Sequence, residues 1–232
     1  MNLEVRDLGR IGYEEALELQ QDLVSQRQEE RISDTLLLLE HPPVITMGKS
    51  AEQSHILVSN KTLQEAGAEV HWIGRGGEAT YHGPGQLVGY VIVHLYNHQR
   101  SLKRFIRNLE EVFVQFLRDY YGIEAHRDDE HRGVWVGNEK ITAIGISIHH
   151  GVTMHGFAFN VNPNLSHFDW IIPCGITDRS QTSVARLSGQ EDIAVDTIKE
   201  GLVSTFRRVF GYEDASDVGQ PAAGAAAETD DP

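Results

Sequence analysis

The chain has 232 residues, 40% of them hydrophobic, and its 34 acidic and 20 basic side chains give a formal net charge of -14. This is the composition of a globular protein with a core of its own, and the acidic balance argues against nucleic-acid binding, which needs clustered positive charge. No apolar run reaches the roughly 18 residues of a membrane span, and charges occupy the place of a secretory signal's apolar core.

Helix and strand patterns alternate along the first half of the chain. Residues 13–30 carry apolar side chains at near-helical spacing and predict an amphipathic helix. Residues 35–39 and 44–47 predict strands on either side of Pro42 and Pro43. A short helix over 62–66 and a strand over 69–73 follow, before a glycine-rich stretch.

The second half predicts a long helix and a series of hairpins. Its elements are a buried strand over 87–95, a helix over 102–121 ended by Gly122, strands over 133–136, 139–148 and 153–161, and a final helix over 195–210. The turns at Gly137-Asn138 and His150-Gly151 favour antiparallel pairing. The chain is therefore expected to be α/β, with a mixed sheet flanked by helices rather than a purely parallel, doubly wound sheet.

The C-terminal segment differs in composition from the rest. From Gly211 onward it carries six acids and no base, with many alanines and glycines. Low hydrophobicity and charge of one sign predict a disordered tail from about residue 216. Without these six acids, the net charge of residues 1–210 is -14 + 6 = -8.

The stretch GRGGEATYHGPGQLVG, residues 74–89, contains six glycines. Glycine at this density leaves backbone N–H groups open to a ligand, although the spacing matches neither a P-loop nor a dinucleotide-binding fingerprint. A loop that keeps its glycines only for turn geometry is the alternative. Against it, Arg75, Thr80, Tyr81 and His82 supply polar side chains that a connector would not need.

Cys174, the only cysteine, lies between Pro173 and Gly175. It cannot form a disulfide within the chain, which fits a reducing compartment and a cytoplasmic protein. A lone cysteine is more often a small buried hydrophobe than a nucleophile, but a turn-like setting favours a reactive thiol.

A catalytic thiol needs a base or cation beside it, and the candidates are Lys140, His82 and His155. Lys140 begins an apolar run, so it is either partly desolvated or a solvated lysine after a hairpin turn. The twelve histidines include no HExxH motif and the cysteine no CxxC pair, so we expect no metal site.

Four blocks of sequence together resemble the lipoyl(octanoyl) transferases. They are RGGEATYHGPGQLVGY (75–90), EKITAIGI (139–146), HGFAFNVN (155–162) and FDWIIPCGI (168–176), and they occur in the family's order. The similarity runs from about residue 5 to residue 212. It implies one catalytic domain over 1–212, with the biotin/lipoate protein ligase fold related to class II aminoacyl-tRNA synthetases, and an acidic tail over 213–232.

The resemblance implies transfer of an octanoyl group from octanoyl-acyl carrier protein to the lysine of lipoyl domains, in 2-oxoacid dehydrogenase E2 subunits and the glycine cleavage H protein. This is the first step of protein lipoylation, and it implies no cofactor, metal, nucleic acid or membrane. Cys174 would carry the acyl group as a thioester, and Lys140 would act as its base or lower its pKa. The implied substrate-binding residues are Arg75, Gly76, Gly77, Glu78, Ala79, Thr80, Tyr81, His82, Ala143, Ile144, Gly145, Gly156, Phe157 and Ala158.

Two further expectations concern the shape and charge of that site. An apolar slot should select the acyl chain, with Phe157 or Ile144 as its floor. The protein partners are usually acidic, so positive charge should gather at the mouth of the site, from Arg75, Arg127, Arg132, Lys140, Arg179 and Arg186. The alternatives are a lipoate or biotin ligase of the same fold, a lipoyl amidotransferase, and a non-catalytic module that binds acyl carriers.

Overall fold

The computed structural model describes residues 2–98, 100–172 and 179–213. Cys174 and residues 214–232 of the predicted acidic tail therefore lie outside the described residues. The strands within them are β1 (Leu3–Arg10), β2 (Asp34–Glu40), β3 (Val44–Met47), β4 (Glu69–Trp72), β5 (Ala79–His82), β6 (Gln86–Ile92), β7 (His126–Arg127), β8 (Val134–Val136), β9 (Glu139–His149), β10 (Val152–Asn160) and β11 (Ser180–Gln181). The α-helices are α1 (Tyr13–Gln28), α2 (Asn60–Glu65), α3 (Leu102–Tyr121), α4 (Val184–Ser188) and α5 (Asp196–Phe210).

An eight-stranded mixed sheet forms the centre of the molecule. Its strand order is β1-β2-β6-β10-β9-β8-β7, with β11 paired in parallel to β9, and a second sheet has the order β4-β3-β5. Strand β1 runs parallel to β2 with α1 as the crossover between them, whereas β6, β10 and β9 pair in antiparallel fashion. The predicted mixed sheet is confirmed.

The two faces of the large sheet bury different side chains. Helices α3 and α5 cover one face, where Phe113 of α3 packs on Phe157 and Phe159 of β10. Helix α1 covers the other face, where Leu23 shares a core with Tyr90 and Ala158. The small sheet packs a third core of its own around Tyr81 and Phe168. Side chains on neighbouring positions of β6 and β10 therefore enter different cores.

Helix α3 shows why the second half of the chain is readable from sequence. Its apolar positions Phe105, Leu109, Phe113 and Phe116 recur at helical spacing and are all buried. The side chain of Ser101 caps the first turn by accepting from the Arg104 N–H, and Gly122 ends the helix with a φ of 63°.

Four strands, β1, β5, β7 and β11, were not predicted, and β7 has only two residues. Strand β1 is an edge strand with charged residues along it, so its pattern is not that of a buried strand. Strand β5 lies within the glycine-rich stretch, and β11 has two residues. In the described part of the chain, no helix combines the length and apolar character needed to cross a bilayer.

Candidate active site

A cleft opens on the α1 side of the large sheet, between the glycine-rich segment and strands β9 and β10. Its volume is about 70 Å³, and its exposed lining is mostly apolar. The lining residues are Tyr13, Ile73, Arg75, Gly76, Gly77, Glu78, Thr80, His82, Val88, Tyr90, Arg132, Lys140, Ala143, Ile144, Gly145, His155, Gly156, Phe157 and Ala158.

The cleft brings together three of the four sequence blocks. Lys140 and all the predicted residues over 143–145 and 156–158 line it. Within the glycine-rich segment, Ala79 and Tyr81 do not line it, because alternate residues of β5 face the third core. The fourth block contributes Cys174, which lies outside the described residues.

Arg75 crosses the cleft and is held by the small sheet. Its Nη2 donates to the Thr46 carbonyl at 2.7 Å and to the Thr46 hydroxyl at 2.9 Å, and its side chain is buried. The absence of a side chain at Gly145 permits this position, because a Cβ there would lie 3.1 Å from Arg75 Cδ and 3.3 Å from the Gly76 carbonyl oxygen. Hydrogen bonds to Thr46 therefore fix the position of the guanidinium.

A line of hydrogen bonds continues from Thr46 through the sheet. The Thr46 hydroxyl lies 3.4 Å from His82 Nε2, and His82 Nδ1 lies 2.8 Å from Gln86 Oε1. Gln86 uses its amide Nε2 to donate to Asn160 Oδ1 at 2.9 Å, so its oxygen accepts from His82 Nδ1. His82 Nε2 is then the acceptor for the Thr46 hydroxyl.

The same network reaches the strand that carries Lys140. Asn160 Nδ2 donates to the Thr182 carbonyl at 3.0 Å, and the Thr182 N–H donates to the Lys140 carbonyl at 2.9 Å. Arg75 and Lys140, which are 65 positions apart in sequence (140 − 75), are thus tied into one framework. Such a framework holds reacting groups at fixed positions without reorganisation.

Lys140 is buried, with 3% of its surface exposed, and is not a solvated lysine after a turn. Its Nζ lies 4.7 Å from the centre of the Trp135 ring, and the Arg179 guanidinium carbon lies 4.8 Å from the same centre. The ring is itself fixed, because Trp135 Nε1 donates to the His131 carbonyl at 3.0 Å. The Lys140 amine thus lies within cation–π distance of an aromatic ring that is fixed in place.

Three buried histidines around the cleft are neutral at physiological pH. Burial lowers the pKa of His41 to about 4, that of His82 to about 3 and that of His155 to about 4. The nearby charge of Arg75 lowers the pKa of His155 further. A neutral imidazole can border an apolar ligand at little electrostatic cost.

Comparison with known proteins gives the family. The model of the lipoyl protein ligase A/B catalytic domain matches residues 12–207. The octanoyltransferase of Caldicellulosiruptor bescii is 51% identical over 212 residues, covering 91% of this chain and 92% of that protein. The octanoyltransferase of Desulforamulus reducens is 46% identical over 213 residues, covering 92% and 93% respectively. The chain belongs to the octanoyltransferases of this family.

Solved structures agree on the fold of this acyltransferase. P. falciparum LipL1 in complex with lipoate has a TM-score of 0.72 at 16% identity, covering 90% of this chain and 63% of that chain. A bi-partite lipoate protein ligase from Thermoplasma acidophilum, reported with its E2 lipoyl domain, has a TM-score of 0.65 at 16% identity, covering 91% and 86%. At these identities the likeness establishes the lipoate-ligase-like fold alone.

The mouth of the octanoyltransferase cleft carries less positive charge than the sequence led us to expect. Arg132 is exposed there, beside Glu78 and Glu130, while Arg75 and Lys140 are buried. The other expected cations are neutralised by ion pairs, Arg127 with Glu111 at 2.9 Å, Arg179 with Asp128 at 2.6 Å and Arg186 with Glu139 at 3.2 Å.

The proposed floor residues of the octanoyltransferase are also placed differently. Phe157 borders the cleft, but its ring packs 4.8 Å from the Phe113 ring on the α3 side of the sheet. A Cβ on Gly89, the cross-strand neighbour of Phe157, would overlap that ring, so the ring lies over Gly89. Ile144 pairs with Phe157 and packs against the same core. Neither side chain closes the cleft on the α1 side.

Sequence reasoning missed several residues that shape this enzyme's cleft. Tyr13, Ile73, Val88 and Tyr90 line it, and Thr46 holds Arg75. Tyr13 begins α1, a place where an aromatic residue normally signals only packing. Tyr90 is the last residue of the block over 75–90, and its place in that block was the one sequence feature that could have indicated a position in the cleft.

Proposed function

We propose that the enzyme transfers an octanoyl group from octanoyl-acyl carrier protein to the acceptor lysine of lipoyl domains, through a thioester on Cys174. The observation that carries this proposal is the burial of Lys140 at the border of an apolar cleft that three of the four family blocks build together. Lipoyl domains of 2-oxoacid dehydrogenases and the glycine cleavage H protein are the acceptors. The enzyme acts in the cytoplasm, where carrier and acceptor occur together.

In the first half-reaction, Lys140 takes the proton of the Cys174 thiol, and the thiolate attacks the carbonyl carbon of the donor thioester. The carbon–sulfur bond to the carrier breaks, and the carrier's thiolate leaves and takes the proton from Lys140. One thioester replaces another, so the step is nearly balanced in free energy and needs no ATP.

In the second half-reaction, the neutral amine of the acceptor lysine attacks the carbonyl carbon of the enzyme thioester. Lys140, now neutral, accepts the proton that the amine loses. The carbon–sulfur bond breaks, the amide forms, and the Cys174 thiolate is released and reprotonated. Formation of an amide from a thioester is downhill, which drives the overall transfer.

The tetrahedral oxyanion of each step needs hydrogen-bond donors, and the glycine-rich segment supports a role here. Among the described residues, the N–H groups of Gly76 and Gly77 donate to no carbonyl, and both residues line the cleft. Gly77 has a φ of 87°, a conformation that favours glycine. We assign the oxyanion to these N–H groups, each worth about 3 to 4 kcal/mol of transition-state stabilisation.

The first turns of α3 supply the positive charge that an acidic donor requires. Arg100, Lys103, Arg104 and Arg107 are exposed, and no acid lies among residues 99–109. Positive charge at a helix N-terminus opposes the helix dipole, so this cluster is not explained by helix stability. Only Arg107 has an acidic partner among the described residues, Asp129 at 3.6 Å.

One member of this basic cluster, Arg107, is linked to the mouth of the cleft through strand β7. Arg127 of β7 donates to the Arg107 carbonyl at 3.2 Å, and the loop that follows β7 lines the mouth with residues 130–132. An acyl group on the carrier's long flexible arm can reach the cleft from such a neighbouring surface, whereas a lysine side chain is short and must enter at the mouth itself. The cluster therefore supports docking of the donor.

The proposal is tested by mixing the enzyme with octanoyl-acyl carrier protein and an unmodified lipoyl domain. We expect octanoyl-lysine on the lipoyl domain in the absence of ATP, detected by intact mass and by peptide mapping. Modification that requires ATP and free octanoate would instead establish a ligase. No modification with either donor would overturn octanoyl transfer altogether.

A further inference from the structure

A second cleft, here called the rear cleft, lies directly behind the first. Leu17 and Val24 of α1, Trp72 and Met154 give it an apolar part, and its volume is about 560 Å³. Its polar part is lined by Gln21, Ser25, Gln28, His149 and His150. Ile73 and His155 line both cavities. The two cavities are therefore separated by a single layer of side chains.

This layer stands at the end of the cleft that is remote from Lys140. His155 pairs with Ile146, six residues beyond Lys140 along β9, which corresponds to about 20 Å of strand. Ile73 follows β4, and its N–H donates to the Met47 carbonyl at 2.9 Å, which anchors it to the small sheet. The distance along β9 joins Cα atoms, and the Lys140 side chain covers part of it, because its Cε lies beside Gly133, next to the Thr142 carbonyl oxygen. An acyl chain with its carbonyl at the Lys140 amine therefore extends along the cleft towards Ile73 and His155.

His155 is held in this position by an unusual backbone conformation. Its φ is 64°, which interrupts the strand alternation and places the ring on the α1 side, 6.3 Å from the Tyr90 ring. Its N–H donates to Gln20 Oε1 at 2.9 Å, and the residue is 5% exposed. A non-glycine residue keeps such a conformation only where its surroundings enforce it.

We propose that Ile73 and His155 form the end wall that limits the length of the acyl chain, and that the rear cleft would receive the terminal carbons of longer chains once this wall is opened. The inference rests on the proposed acyl transfer and adds the residues that set its chain-length specificity. It replaces Phe157 and Ile144, whose side chains belong to the core on the opposite face.

The test measures acylation of the enzyme with hexanoyl, octanoyl, decanoyl and dodecanoyl thioesters of one carrier. For Ile73→Ala, the decanoyl-to-octanoyl ratio of kcat/KM should rise by at most about 15-fold, the value for two methylenes of about 0.8 kcal/mol each. Ile73→Trp should shift preference towards hexanoyl. Ile73→Val should raise the decanoyl-to-octanoyl ratio by a smaller factor than Ile73→Ala. This variant keeps the proposal testable if the alanine variant folds poorly.

Ile144→Ala is the matched comparison, because it makes the same change at the alternative floor residue. Its ratio should remain that of the wild type, and ratios do not depend on how much activity a variant retains. An unchanged decanoyl-to-octanoyl ratio in folded Ile73→Ala would contradict the assignment of Ile73 and His155 as the end wall. An equal rise of this ratio in Ile144→Ala would contradict it too. Failure of the wild-type enzyme to be acylated at any chain length would instead refute the proposed function.

Discussion

The three buried histidines predict that this enzyme loses stability between pH 7 and pH 5. Their pKa values in the folded state, about 4 for His41, about 3 for His82 and about 4 for His155, lie below the ordinary value of about 6.5 that the unfolded chain retains. A group with a lowered folded pKa contributes stability that is complete above the unfolded pKa. That contribution is lost as the pH falls towards the folded pKa, because the unfolded chain binds the proton first.

The magnitude follows from the two pKa values. At pH 5 each histidine lowers the free energy of unfolding by about 2 kcal/mol relative to pH 7, and this figure changes little whether the folded pKa is 3 or 4. Three independent sites would sum to about 6 kcal/mol, against a typical domain stability of about 5 to 15 kcal/mol. Burial raises the pKa of Glu110, which acts in the opposite direction and reduces the sum.

The assay is urea unfolding of wild type and His41→Asn at pH 7 and pH 5. Asparagine does not titrate, and its amide can donate to the Ile11 carbonyl as His41 Nδ1 does at 2.8 Å. The stability difference between the two pH values should shrink by about 2 kcal/mol in this variant. The exposed His126→Asn serves as control. Equal pH dependence in wild type and His41→Asn would refute the reasoning, whatever their stability at pH 7.

Three other predictions concern the reaction and the ends of the chain. Lys140→Ala should slow single-turnover acylation by about 100-fold or more while the fold persists by circular dichroism, and wild-type rates would remove Lys140 from the mechanism. The double variant Lys103→Glu and Arg104→Glu should raise KM about tenfold for the octanoyl carrier but not for a small octanoyl thioester. Arg31→Glu is the control. Equal effects on both donors would exclude docking of the carrier on this cluster. Deleting residues 216–232 should leave the melting temperature near that of the full chain, because a segment of such low hydrophobicity buries little surface, and a large fall would contradict this.

The elements with strong local signals were predictable. The long helix over Leu102–Tyr121 was predicted at its true bounds, because its apolar spacing and terminal glycine are both local features. The antiparallel strands β9 and β10 were found because glycine-containing turns separate them. Edge strand β1 was missed, since its pairing to β2 depends on residues about 30 positions away.

The site was predictable as a set of segments but not as a shape. The sequence blocks identified the walls of the cleft, yet the bond from Arg75 to Thr46 spans 29 positions and joins two strands whose pairing is a tertiary feature. The conformation of His155 has no sequence signal, because a positive φ at a non-glycine residue is enforced by its surroundings. The positive charge at the mouth of the cleft was overestimated for the same reason, because the ion pair that neutralises Arg179 is made with Asp128, which is distant in sequence.

The central claim is that the octanoyl group passes through a thioester on Cys174, and intact mass spectrometry of the enzyme mixed with octanoyl-acyl carrier protein tests it most directly. The account predicts an octanoyl adduct on the wild-type enzyme that hydroxylamine removes, that an added lipoyl domain discharges, and that Cys174→Ala does not form. Absence of an adduct while the lipoyl domain becomes octanoylated, or an adduct of the same lability on Cys174→Ala, would contradict it.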